Sequence, residues 1–182
     1  MTELRTERLL LRQWRDADRE PFAELNADSE TMRYFPAPLT REESDALVDR
    51  ASGDIDRRGW GLWAVEVAGG APFVGFVGLS IPGFAPELVE VGWRLRRDHW
   101  GNGYATEAAR ESLRFGFEVL GLDEIVSFTT VANAPSRRVM ERIGMTHDAA
   151  RDFDHPNLPD WPHRRHVFYS VSPGAHSRRP RV

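Results

Sequence analysis

Between Glu87 and Arg96 the chain alternates strictly, with Val89, Val91, Trp93 and Leu95 on one face and Glu90, Gly92, Arg94 and Arg96 on the other. A period of two predicts a strand half sunk in a core. From Ala105 to Leu120 the period changes: small and apolar residues recur at 105, 108, 109, 112, 113, 116, 117 and 120, the spacing of a helix with one buried stripe. The first half of that stripe is alanine and serine, so the helix can press closely against a sheet.

The same reading extends along the chain. Thr6 to Arg12 predicts a first strand, and Asp16 a cap for a helix over Ala17 to Asn26. Thr40-Arg41-Glu42-Glu43 has the form of a capping box, opening a helix to about Arg57. Trp60 to Val67 and Pro72 to Ile81, joined at Gly69-Gly70, predict a hairpin whose second arm carries Gly75 and Gly78 where packing is close. Ile125 to Val131 predicts a further strand. Asn133 to Gly144 predicts a helix with glycine at its C-terminal end, and Phe153 and Val167 to Val171 fall in two last strand regions. The order β-α-α-β-β-β-α-β-α-β-β implies an α/β or α+β fold, a mixed sheet with helices on both faces.

Composition narrows the class. A chain of 182 residues that is 41% hydrophobic suits one domain, read here as residues 1–172, with 173–182 as a disordered basic tail. The run Phe73 to Ile81 is far too short for a membrane span, and Met1 to Arg5 lacks an apolar signal core, so the expectation is a soluble protein. The absence of cysteine excludes disulfides, thiolate zinc sites and a cysteine nucleophile, and is compatible with the cytoplasm. Every basic residue is arginine, so the chain has no lysine of its own to modify. Setting Arg178, Arg179 and Arg181 aside leaves 21 Arg against 28 acids, a net of −7 in place of −4. A body that acidic argues against a nucleic-acid surface and favours cationic partners such as amines.

The chemistry concentrates between strand and helix, in Trp100-Gly101-Asn102-Gly103-Tyr104-Ala105-Thr106-Glu107-Ala108. Two glycines before a helix N-terminus suit an anion, because the turn lets a ligand near the main chain and the helix presents free N–H groups and a positive dipole end. Thr106 stands where a dinucleotide fingerprint requires a third glycine, and no Gly-Lys-Ser/Thr follows, so neither common nucleotide motif applies.

This string resembles the pyrophosphate loop of the GNAT acyltransferases, in particular the RimJ/RimL branch with its Trp-Gly-x-Gly-Tyr-Ala-x-Glu-Ala pattern. Trp100 stands where the general GNAT loop has Gln or Arg, a departure usual in that branch. Asn133-Ala134-Pro135-Ser136-Arg137-Arg138-Val139-Met140-Glu141-Arg142-Ile143-Gly144-Met145 is similar to a second string of the branch, with Arg142 for Lys and Met145 for Phe. Asp152 to Pro156 with Arg165-His166-Val167 is similar to its closing segment. The resemblance implies a mixed, mostly antiparallel sheet of about seven strands. It also implies acetyl-CoA as co-substrate, an amine acceptor (a peptide N-terminus or a small molecule) and a homodimer, while net charge, the short apolar run and ligand spacing lead to the expectation of no nucleic acid, no membrane and no metal.

By that resemblance, coenzyme A would be held by Trp93, Arg94, Leu95, Arg96, Gly101, Asn102, Gly103, Tyr104, Ala105, Thr106, Asn133 and Arg138. The catalytic residues would be Glu90, taking the amine proton, and Ser136, protonating the leaving thiolate. Each has a plainer reading: Asn133 and Ser136 as helix caps, Glu90 as a solvent-facing strand residue, Arg96 and Arg97 as solvated charge. His155, His163 and His166 with Asp152, Asp154 and Asp160 match no standard metal spacing, and the prolines 156, 159 and 162 make their segment a stiff loop that would cover a substrate. A catalytically weak acyl-CoA-binding or regulatory module is the alternative function.

Overall fold

A computed structural model describes residues 2–176, with side chains to residue 174. The strands are β1 (Leu4–Arg5), β2 (Leu9–Arg12), β3 (Leu62–Val67), β4 (Gly75–Ser80), β5 (Glu90–Leu95), β6 (Ile125–Thr130), β7 (Thr146–His147), β8 (Phe153–Asp154) and β9 (Arg165–Val171). The helices are α1 (Arg19–Ala27), α2 (Arg41–Arg58), α3 (Tyr104–Glu118), α4 (Ala134–Arg142) and a short α5 (Pro173–His176). The strands follow the order β1-β2-β3-β4-β5-β6-β9-β7, with β8 also on β9. All the registered pairs are antiparallel except β5 with β6. The fold is therefore a mixed α/β fold on a mostly antiparallel open sheet.

The sheet has nine strands against about seven expected because β1 and β7, two-residue pieces too short to show a period, join those the sequence predicts. The single strand expected over Thr6 to Arg12 is instead two, folded back so that Leu4 pairs Leu11. Asp16 does not cap α1. Asp18 takes that region over: its Oδ2 accepts from the Arg15 N–H at 2.7 Å, and a 3-10 turn (Asp16–Asp18) precedes the helix. The expected tail begins with α5, and residues 177–182, with Arg178, Arg179 and Arg181, lie outside the described residues.

Two compact units arise. The first comprises the chain to Leu79 together with Gly92–Ser112. Its core gathers Leu11, Phe22, Ile55 and Trp63, all 1% exposed or less. Trp14 meets Phe22 edge-on at 5.0 Å between ring centroids, a favourable aromatic geometry. Two charged residues are buried together among the described residues of this unit: Arg12, 1% exposed, is held by both oxygens of Asp18, 2% exposed, at 2.8 and 2.9 Å, and by Glu66 at 2.8 Å. The Thr40 capping box forms as the sequence predicts, and Gly59 closes α2 in the left-handed region. Gly75 and Gly78 lie in close packing, since a Cβ on Gly75 would strike the Arg94 carbonyl and one on Gly78 the Gly61 carbonyl.

The second unit comprises Ser80–Val91 and the chain from Leu113 onward. Its central ladder is β6 against β9, from Ile125↔Val171 to Thr130↔His166. Ile125, Val126, Phe168, Tyr169, Met140 and Ile143 form its buried core. Phe84, Phe128, Phe153, His155 and His166 pack ring on ring at 4.8–6.3 Å, closing the base of the loop that follows β8. That loop is tied by its own turns, including His155 N–H to the Arg164 carbonyl at 2.9 Å.

Candidate functional site

In the first unit, β5 ends at Leu95, a 3-10 turn (Arg97–His99) follows, and the chain enters α3 through the glycine turn. Gly101 and Gly103 have φ of 81° and 80°, the left-handed region that favours glycine. A Cβ on Gly101 would meet nothing within 4 Å, so the flank of the turn is open. The turn is braced by its own side chains. The Trp100 indole N–H donates to the Leu95 carbonyl at 2.8 Å, and the Asn102 amide donates to the His99 carbonyl at 3.1 Å. The first helical bond runs from the Glu107 N–H to the Gly103 carbonyl, so the N–H groups of Tyr104, Ala105 and Thr106 precede the helical ladder. An open flank, two glycines and a helix start together form an anion cradle.

Glu107 fastens this cradle to the N-terminal strands. Its carboxylate accepts from the Thr6 hydroxyl at 2.5 Å, the Arg8 N–H at 3.0 Å and Arg8 Nε at 2.7 Å. Although burial pushes the other way, the bonds from Thr6 and Arg8 hold its carboxyl below the ordinary range. Arg8 also lies over the Tyr104 ring at 4.9 Å and comes within 3.6 Å of where a Gly103 Cβ would stand. Sequence reasoning missed Arg8, because the contact spans 99 residues and nothing local marks it.

On β5, the Arg96 N–H is spent on the Val74 carbonyl and its guanidinium pairs with Asp98 at 3.2 Å. Arg96, Arg97 and Asp98 line a shallow depression with Glu24, Leu25, Asp28 and Thr31. Arg94 is different. Its Nη1 donates to Asn26 Oδ1 at 2.6 Å, its plane lies over Phe35 at 4.3 Å, and burial lowers its pKa to about 10. Trp93 is half-buried.

In the second unit, Glu90 opens β5 and pairs with Val126 of β6 in the parallel register. Glu90 is half-buried, and burial pushes its pKa up to about 8. Glu90 is thus neither fully solvated, as its plainer reading has it, nor wholly enclosed. Asn133 caps α4: its Oδ1 accepts from the Ser136 N–H at 3.2 Å and its Nδ2 donates to Thr129 Oγ1 at 2.9 Å. Ser136 is half-buried and takes part in that cap through its main chain, while Arg138 is exposed on α4. Among the described residues no group of three or more His, Asp or Glu could hold a metal ion, and no helix is long and apolar enough to cross a membrane.

The chain is similar to known proteins. The model of the acetyltransferase (GNAT) domain family matches residues 8–146. The uncharacterized N-acetyltransferase YnaD of Bacillus subtilis (strain 168) is 31% identical over 141 residues, 77% of this chain and 80% of its own. The FsC-acetyl coenzyme A-N(2)-transacetylase of Aspergillus fumigatus is 35% identical over 156 residues, covering 79% of this chain and 65% of its own. Among solved structures, an acetyltransferase (GNAT family) from Bacillus anthracis superposes with a TM-score of 0.78 at 28% identity, over 94% of this chain and 98% of that one.

Proposed function

The chain belongs to the GNAT acetyltransferase family and is an N-acetyltransferase, and on that premise we propose that it transfers acetyl from acetyl-CoA to a primary amine, a peptide N-terminus or a small molecule, in the manner of the RimJ/RimL branch. The observation that carries this reading is the glycine turn: a flank open beside Gly101, left-handed angles at both glycines, and the start of α3 fit the diphosphate of coenzyme A. Coenzyme A supplies the acetyl group as a thioester. The Aspergillus relative, named as an acetyl coenzyme A-N(2)-transacetylase, supports that donor and transfer to nitrogen.

The chain's own groups then have defined tasks. N–H groups from Gly101 to Thr106 hold the diphosphate, and the Trp93–Leu95 main chain orients the pantetheine arm. The amine attacks the thioester carbon directly, since no cysteine exists to take the acetyl first. Glu90 receives the amine proton. With its carboxyl near 8, transfer from an α-ammonium of pKa about 8 is nearly thermoneutral, whereas a lysine ammonium lies about 2.4 units higher, roughly 3 kcal/mol uphill. That difference favours low-pKa amines. Ser136 or a water protonates the departing thiolate. The lack of cysteine supports a cytoplasmic setting, and the family resemblance supports a homodimer.

The test is acetyl-CoA consumption over a panel of peptides and small amines of graded pKa, together with calorimetry of coenzyme A. Turnover concentrated on amines of pKa below about 9 is expected. Absence of coenzyme A binding would sink the reading.

A further inference from the structure

Arg12 is buried in the first unit, and Arg94, half-buried as a residue, has its Nε buried; the surroundings of the two differ in kind. Arg12 meets Asp18 and Glu66, so its charge is compensated. Arg94 forms no ion pair among the described residues. Its partners are the Asn26 amide oxygen and the faces of Phe35, at 4.3 Å, and Phe76, at 5.6 Å. In a chain with 28 acidic residues, leaving a buried guanidinium without a carboxylate is a specific arrangement, because an uncompensated buried charge is destabilising.

The arrangement is also held in place. Asn26 is fully buried, and its Nδ2 donates to Ser44 Oγ of α2 at 2.9 Å, which fixes its Oδ1 toward Arg94. Arg94 therefore spends Nη1 on a neutral acceptor. Its Nε is buried with no hydrogen-bond partner, and no bond from Nη2 accompanies it. Nε and Nη2 form the edge through which a guanidinium donates two parallel bonds to a carboxylate. Phe35, on the connection between α1 and α2 and 39% exposed, lies over that guanidinium.

We propose that Arg94 reads a carboxylate carried by the acceptor, so that the amines this enzyme acetylates are amino acids, peptides or similar molecules with an anionic end. The inference rests on the acyltransferase reading. It also reverses the expectation, drawn from net charge alone, that the acceptor is simply cationic. Coenzyme A has its own anion cradle at Gly101 to Thr106, and the guanidinium of Arg94 touches none of those residues, lying instead against α1 and the α1–α2 connection. A second anion-recognising group is thus available to the second substrate.

The experiment compares matched acceptors on the coenzyme A-loaded and acetyl-CoA-supplied protein. Aminoalkanoates from glycine to 6-aminohexanoate, with glycylglycine and alanylalanine, are paired with their carboxamides. The best carboxylate should exceed its amide by about tenfold to a hundredfold in kcat/KM, chiefly through KM, and in affinity by calorimetry. In Arg94→Gln that ratio should collapse toward one. Arg94→Lys should recover only part of it, because a lysine keeps the charge and loses the fork. The wild-type ratio does not depend on any variant folding. A protein that binds coenzyme A and turns over amines but shows no carboxylate preference in rate or affinity overturns this proposal and leaves the acetyltransferase reading intact. Arg94→Gln losing coenzyme A affinity with its carboxylate ratio unchanged also overturns it, assigning the guanidinium to a coenzyme phosphate. Without turnover the calorimetric ratio still decides: equal binding of carboxylate and amide rejects the proposal.

Discussion

Replacing Glu90 by glutamine should make the protein more stable and less active, and the size of the first effect follows from the burial of the carboxyl. Its pKa is about 8 in the fold against 4.5 for an exposed glutamate. A raised carboxyl pKa means the folded state holds the proton more tightly. Its favourable contribution is therefore full below 4.5 and is lost as pH rises through 8. At 1.36 kcal/mol per unit, wild type forfeits about 3 kcal/mol by pH 7 and about 5 above pH 8. Glutamine keeps the shape and does not titrate. The variant's advantage in urea unfolding should thus be near zero at pH 4.5 and grow to about 3 kcal/mol at pH 7. Over the same range its kcat/KM should fall by about 10² to 10⁴, the usual worth of a general base, and wild-type kcat/KM should climb toward a plateau above pH 8. The loss should shrink once the acceptor is already neutral. A stability difference that does not change with pH would show that Glu90 is not held neutral, and a variant with wild-type kcat/KM at pH 7 would move the base to an ordered water.

Gly103→Val should abolish coenzyme A binding in calorimetry while circular dichroism stays native, because φ of 80° is closed to a β-branched residue although the flank has room; retained affinity would reject the cradle. Glu107→Ala removes the anchor of Thr6 and Arg8 and should lower unfolding free energy by about 1–3 kcal/mol, with a weaker coenzyme A affinity; no change in either would make the anchor incidental. Burial lowers the pKa of His166 and of His155 from 6.5, so the fold should lose stability as pH falls below 6.5, and His166→Phe should flatten that slope in urea titrations. Deleting Asn157 to Trp161 should change acceptor KM or the mass in solution, and an unchanged value of both would remove the loop from the site and from any dimer.

Where one element follows its own local rule, the chain could be read directly. The Thr40 capping box, the Asn133 cap, the Gly144 end of α4 and the glycine turn are all short-range devices, and each stands where its residues place it. The misreadings came from partners far away in sequence. Asp18 displaces Asp16 at the start of α1 because Arg12 needs a buried carboxylate, and Arg8 reaches the glycine turn because Glu107 holds it there. Glu90 looked like a wet strand residue since alternation reports two faces without saying what covers the second.

That second face of β5 is where the chemistry of this chain departs from the rules that keep a fold stable. Arg12 shows that the chain can bury an ion conventionally, with two carboxylates around one guanidinium. Glu90 and Arg94, each half-buried in its own surroundings, have no ion pair among the described residues, and burial shifts both toward their neutral forms, to about 8 and about 10. A compensating residue beside either would raise stability by removing a buried charge problem. It would also depress Glu90 until it could no longer take a proton from an amine near neutral pH, or occupy the unpaired Nε edge of Arg94. The instability is therefore tied to the two tasks proposed for these groups, in keeping with the trade between stability and activity found at working sites.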